Sequence, residues 1–284
     1  MLWRGRRESG NVSDRRSISG PGIAVGGGAI GLIIYLLNMF LGGDPGQVPN
    51  MPYQSSREMS ASEQAADDER ASFVKVVLAE TEDVWQKIFE EQGSRYSEPT
   101  LVLFRDVVQS GCGNASAASG PFYCPADQQV YIDLSFYEEL QNRFNVEGDF
   151  PMAYVIAHEV GHHIQNLMGV SAKMQELHER MDEREYNRYS VMVELQADFY
   201  AGLWAHYAHR MDTILEEGDI AEALNAANAI GDDMLQKRTQ GRIVPDAFTH
   251  GTSAQRMYWF KKGWTTGDIR QGDTFSDASL AYAE

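Results

Sequence analysis

The stretch AYVIAHEVGHHIQN, residues 153–166, sets His158, Glu159, His162 and His163 within an otherwise largely apolar run. Asp149 can cap a helix, Pro151 suits a first turn, and Gly169 follows the last apolar pair, so residues 150–168 are predicted to form one helix with both ends marked. On that helix His158 and His162 share a face, close enough for both imidazoles to reach one zinc ion at about 2.0–2.1 Å. Glu159 is one position on, rotated by about 100°, which suits it to hold a water beside the metal rather than the metal itself. A zinc-acidified water attacking a carbonyl needs a base, and Glu159 is the candidate. His163 points off the ligand face and is expected at the surface or behind the ligands.

A catalytic zinc site usually has three protein ligands and one open position. The metzincin extension would need a glycine at 165 and a histidine at 168, where Gln165 and Met168 stand. Cys112, 46 residues before His158, could act as an upstream cysteine ligand of the peptide-deformylase kind, but pairing with Cys124 explains it better. The stronger candidate is downstream, in VELQADFYAG. Glu194 and Asp198 are four apart in a helical pattern whose Val193, Leu195, Ala197 and Leu203 imply burial. Two carboxylates facing a core are costly without a cation nearby. Glu194 is therefore expected as third ligand, with Asp198 accepting the second N–H of a ligand histidine. The rival reading is a solvent-facing acid pair.

The elements around these helices follow from periodicity. Residues 63–91 carry apolar positions at near-helical spacing and end at Gly93, while TLVLFRDVV (100–108) and QQVYIDLSF (128–136) have the branched and aromatic content of strands. Further helices are predicted at 172–183, 185–209, 219–237 and 253–263. The class is α+β, mostly helical, with a small sheet. Between the strands lies SGCGNASAASGPFYCPAD, where Cys112 and Cys124, the only two cysteines, would pair in an oxidising compartment. His178, His206 and His209 are expected on helix surfaces.

Charge is unevenly distributed. Residues 1–22 carry five arginines against Glu8 and Asp14, a net +3, so the remainder carries −20 of the total −17. An acidic domain of this kind excludes nucleic acid as a partner. Residues 23–42 are uncharged and would span about 30 Å as a helix. With arginines before it and acids after it, this stretch is predicted to be an uncleaved transmembrane helix. The basic segment 1–22 would then be cytoplasmic, residues 43–62 a Gly/Pro/Ser-rich linker, and the domain 63–284 extracytoplasmic.

HEVGH followed by ELQAD resembles the gluzincin arrangement. Together with RGRRESGNVSDRR, GPFYCPADQQVYIDLSFY and VPDAFTHGTSAQR, the chain resembles the bacterial family of single-pass membrane neutral zinc metallopeptidases. The resemblance implies a zincin-like fold with a small antiparallel sheet, bound Zn2+, a peptide or protein substrate, and attachment to the inner membrane with the catalytic domain periplasmic. It further implies that the QQVYIDL strand offers a sheet edge to an extended substrate, unless that strand is internal. His250 would stabilise the tetrahedral oxyanion, and Arg256 lies nearby in sequence without an assigned role. Members of the family often carry a second cysteine pair where Phe199 and Gly272 stand here. The alternative function is a zinc-containing envelope protein that binds or scaffolds without catalysis; a hydrolase of non-peptide amides would share the same residues.

Overall fold

The computed structural model describes residues 1–17, 59–277 and 280. Residues 23–42 and most of the linker lie outside the described residues. Among the described residues, no helix is long and apolar enough to cross a membrane.

Helix α1 (Ala61–Glu91) begins in a reciprocal capping box between Ser60 and Glu63, which fixes its start two residues ahead of the expected domain boundary. Its apolar positions, including Phe73, Val77, Trp85 and Ile88, are buried against the rest of the core. The strands are β1 (Val12–Asp14), β2 (Thr100–Phe104), β3 (Val107–Ser110), β4 (Gly113–Ser116), β5 (Phe122–Cys124) and β6 (Gln129–Asp133). They form a four-stranded sheet in the order β1-β2-β6-β5 and a separate two-stranded hairpin, β3-β4.

The expected antiparallel sheet is thus mixed. β1 pairs with β2 and β2 with β6 in parallel, while only β5 runs antiparallel to β6. The parallel pairs arise because the chain crosses back between them, through α1 in the first case and through the hairpin in the second. The run 100–108 divides at Arg105–Asp106, where Asp106 takes φ 64°, and so yields two strands rather than one.

A second correction concerns the N-terminal segment. Residues 12–14 form a strand of the domain's sheet, in register with Leu101–Leu103, and Met1 is buried with its ammonium bonded to Asp149, Glu216 and Asp219 at 2.9–3.2 Å. The described part of the basic segment therefore belongs to the domain.

The other helices are α2 (Phe136–Asn142), α3 (Phe150–Leu167), α4 (Val170–His178), α5 (Glu183–Asp212), α6 (Asp219–Ala229), α7 (Asp232–Gln240) and α8 (Ser253–Thr266). The single helix expected over 219–237 is broken into α6 and α7. The start of α8 docks into the break: Ser253 Oγ donates to the Asn228 carbonyl and to Asp233, and the Ser253 N–H also donates to Asp233. Helices α5 and α8 lie in close contact. A Cβ at Gly202 would sit 2.0 Å from the Phe260 carbonyl oxygen, and one at Gly263 would sit 2.1 Å from that of Phe199. Only glycine permits this approach, which brings the first turn of α8 onto the middle of α5.

Candidate functional site

Helix α3 carries HEVGH and α5 carries ELQAD. They meet at Gly161, where a Cβ would lie 3.1 Å from the Ala197 backbone, so the glycine inside the motif lets the two helices approach. Across that contact the His158 and His162 ring nitrogens and a Glu194 carboxylate oxygen all lie within 4.8 Å of one another. His158 Nε2 is 3.1 Å from Glu194 Oε2, and His162 Nε2 is 3.5 Å from Glu194 Oε1.

The opposite ring nitrogens are both held. His158 Nδ1 is 2.9 Å from Asp198 Oδ1, and His162 Nδ1 is 2.8 Å from Gln165 Oε1. Gln165 is fixed in turn by donating to the Val193 carbonyl and to Gln196 Oε1. Such outer partners set the ring orientation and leave each Nε2 for a metal.

Asp198 is fully buried and sits at the centre of a polar cluster. Arg256, from α8, donates through Nε to Asp198 Oδ2 at 2.8 Å and through Nη2 to Oδ1 at 3.0 Å, and Nη2 also donates to Tyr154 Oη at 3.1 Å. The Tyr154 hydroxyl donates to the same Asp198 oxygen at 2.5 Å. Burial alone would raise the Asp198 pKa, but Arg256 and His158 hold it down at about 2.

The donor set fits a divalent cation on its chemistry. With Glu159 ionised, three carboxylates (Glu159 and Asp198 buried, Glu194 partly buried) face one guanidinium, leaving two negative charges to be balanced. Without a metal, protons take that place. Burial pulls the His158 pKa down, but Asp198 and Glu194 more than reverse this and push it up to about 10. His162 is likewise raised by Glu194 against the effect of burial. Two imidazoles and a carboxylate with their outer nitrogens engaged are a zinc-type ligand set with room for a further ligand.

Glu159 is buried in the floor of a cleft of about 380 Å³ that also exposes His158, His162 and Glu194. Burial raises the Glu159 pKa and Glu194 adds to the rise, against the pull of His162 and His158. His250 lies at the same cleft with its side chain 47% exposed. Asp232 holds it there: Oδ2 accepts the backbone N–H groups of Thr249, His250 and Gly251, and Oδ1 is 3.2 Å from His250 Nδ1. Burial lowers the His250 pKa, but Glu194 and Asp232 together raise it by more, and the net shift is upward.

The family model described as "Putative neutral zinc metallopeptidase" matches residues 1–275. The chain belongs to this family. It is 49% identical over 288 residues to "Uncharacterized protein YpfJ" of Escherichia coli K12, covering 97% of this chain and 99% of that protein. It is 39% identical over 261 residues to "Uncharacterized protein Rv2575" of Mycobacterium tuberculosis H37Rv, covering 85% of this chain and 86% of the relative. No solved structure matches.

The structure brings together His158, Glu159 and His162 of HEVGH with Glu194 and Asp198 of ELQAD, and sets His250 at the cleft beside them. Cys112 and Cys124 form a disulfide with Cα atoms 5.8 Å apart, so neither cysteine is available as a ligand. A Cβ on Gly272 would lie 2.5 Å from the Phe199 ring, so the aromatic ring packs directly against this glycine.

Two expectations are corrected. His163 points off the ligand face as expected, but it is neither at the surface nor behind the ligands: it is buried, with Nε2 2.6 Å from the Ser97 carbonyl and Nδ1 3.0 Å from Tyr123 Oη. Strand β6, which holds QQVYIDL, is paired on both edges and cannot be the substrate platform. Among the described residues β1 and β5 are the edge strands of this sheet; β5 is the one beside the cleft, which residues 119–123 line.

Tyr154, Gln165, Asp232 and the role of Arg256 were not read from the sequence. Tyr154 is one helical turn before His158 and Gln165 almost one turn after His162, so a polar stripe at positions 154, 158, 162 and 165 was there to be seen. Asp232 carries no local signal.

Proposed function

We propose that the protein hydrolyses peptide bonds, with zinc held by His158, His162 and Glu194 and with Glu159 as general base. The observation that carries this reading is the convergence of those three ligand groups within 4.8 Å in a cleft floored by a buried glutamate that binds no part of the ligand cluster. A zinc ion there would supply Lewis acidity, lowering the pKa of the attacking water to about 7 and polarising the scissile carbonyl.

The remaining steps belong to the chain's own groups. Glu159, with its pKa raised by burial, takes the proton of the attacking water and delivers it to the leaving amine. His250, held at Nδ1 by Asp232 and biased towards the charged form, presents Nε2 to the developing oxyanion. The free edge of β5 pairs with an extended substrate as an added strand. Phe136, Phe144, Val155, Ile230 and Leu235 line the same cleft and favour a substrate with an apolar side chain near the scissile bond.

Glu159→Gln tests the mechanism. The variant should keep about one zinc per chain and lose hydrolysis of a peptide library that the wild type cleaves in a chelator-sensitive way; full activity in the variant would reject Glu159 as the base. Glu194→Ala should lose most of its zinc, and unchanged metal content would remove Glu194 from the ligand set. A wild type that binds zinc yet cleaves nothing in the library would favour the non-catalytic alternative.

A further inference from the structure

The charge asymmetry of the sequence suggests a membrane address, with arginines on one side of an apolar stretch and an acidic domain on the other. The structure gives those arginines another purpose. Arg4 pairs with Glu69, Arg6 with Glu80, Arg7 with Glu82 and Asp83, and Arg16 with Asp67 and Asp68. All of these carboxylates lie on α1. Three of them, Asp67, Glu80 and Glu82, are 4–6% exposed under the arm formed by residues 1–17.

The arm is also built into the core. Trp3 packs edge-on against Phe73 at 5.4 Å. Ser9 and Asn11 both hydrogen-bond Glu82, and β1 completes the sheet by pairing with β2. Without the arm, Leu101–Leu103 would form an open parallel edge and Glu80 and Glu82 would lose their cations. Buried carboxylates keep such partners because an unpaired buried charge is costly.

Arg16 and Ser60 therefore mark the two ends of the intervening stretch on a single folded body. The Arg16 guanidinium contacts Asp67 at 2.6 Å, two turns into the helix that Ser60 caps. Crossing a bilayer and returning takes two apolar spans of about 20 residues each, and the sequence between the two ends has one such stretch, 23–42. We infer that the N-terminal arm and the zinc-site domain lie on the same side of any membrane the protein meets.

The test uses the full chain. Cys112 and Cys124 are first replaced by serine, so that each added cysteine is the sole thiol whichever side of the membrane it occupies. Gly10→Cys places one in the arm, where a side chain meets nothing within 4 Å, and Ala172→Cys places one on an exposed position of α4. Cells producing each variant are treated with a membrane-impermeant maleimide before and after permeabilisation. The expected result is the same pattern for both, either labelled in intact cells or labelled only after permeabilisation. Labelling of one position and protection of the other in intact cells overturns the inference.

Discussion

Arg256→Met isolates the contact on which the two metal-bearing helices depend. Arg256 is 3% exposed and Asp198 is 0% exposed, and the guanidinium makes two hydrogen bonds to that carboxylate and one to Tyr154 Oη. Removing one member of a buried ion pair typically costs about 3–5 kcal/mol. Asp198 keeps two partners, His158 Nδ1 and Tyr154 Oη, so the loss should fall near the lower end, about 3 kcal/mol. For a domain of this size that is a fall in Tm of roughly 6–12 °C.

Urea unfolding in the presence of a chelator reads this loss without a contribution from metal. A double-mutant cycle with Asp198→Asn should return a coupling energy of about 1–3 kcal/mol, because the second substitution removes the charge that the first leaves stranded. Zinc affinity, measured by competition with a chromophoric chelator, should fall about 10–100-fold through loss of His158 orientation. A stability loss under about 1 kcal/mol, with zinc affinity unchanged, would refute the reasoning that Arg256 secures Asp198.

Three further outcomes follow from the same geometry. The Cys112–Cys124 disulfide ties the β3-β4 turn to the end of β5; replacing both cysteines by serine should lower stability by about 3 kcal/mol in urea and raise KM more than it lowers zinc content, whereas equal losses in both would place the bond's role elsewhere. Asp232→Asn should move the alkaline limb of kcat/KM to lower pH. Asp232 helps hold His250 charged above its ordinary range, that charge is lost as pH rises through the raised pKa, and removing the carboxylate brings the loss earlier; an unmoved limb would exclude His250 as the group responsible. Zinc should compete with protons on His158 and His162, both of which are raised in the metal-free state, so affinity should rise about 10–100-fold per pH unit between pH 6 and 8, and a flat response would contradict the proton-for-metal exchange.

The half-sites were legible in the sequence because each is a local helical pattern. His158 and His162 on one helix, and Glu194 and Asp198 on another, need only the 3.6-residue period to be placed on common faces. The glycine that lets the helices meet, Gly161, was also in plain sight, although its function depends on Ala197, 36 residues away. What the pattern could not supply was closure. Arg256 reaches Asp198 only because Gly202 and Gly263 let α5 and α8 approach, and Asp232 reaches His250 only because the start of α8 breaks a continuous helical run at 230–231. Whether β6 is an exposed edge or an internal strand is open in the sequence for the same reason. The strands that cover it, β2 and β5, were seen as one long run and as part of a loop.

Charge is where a local reading and a global one diverge. Arginines at 4, 6, 7 and 16 next to an uncharged stretch fit a membrane-orienting pattern, yet that rule assumes that basic residues lack protein partners. Here acids at 67, 68, 69, 80, 82 and 83 on α1 are their partners. The same test applies inside the cleft. Placing Glu159, Glu194 and Asp198 in one core leaves more negative charge than a divalent metal can offset, so one buried cation was still required. The region after the second motif offers Arg256 in THGTSAQR as that cation, and the structure places it on Asp198, the carboxylate behind His158. Requiring buried charges to balance, rather than matching a motif, is the step that would have assigned Arg256 its role from sequence.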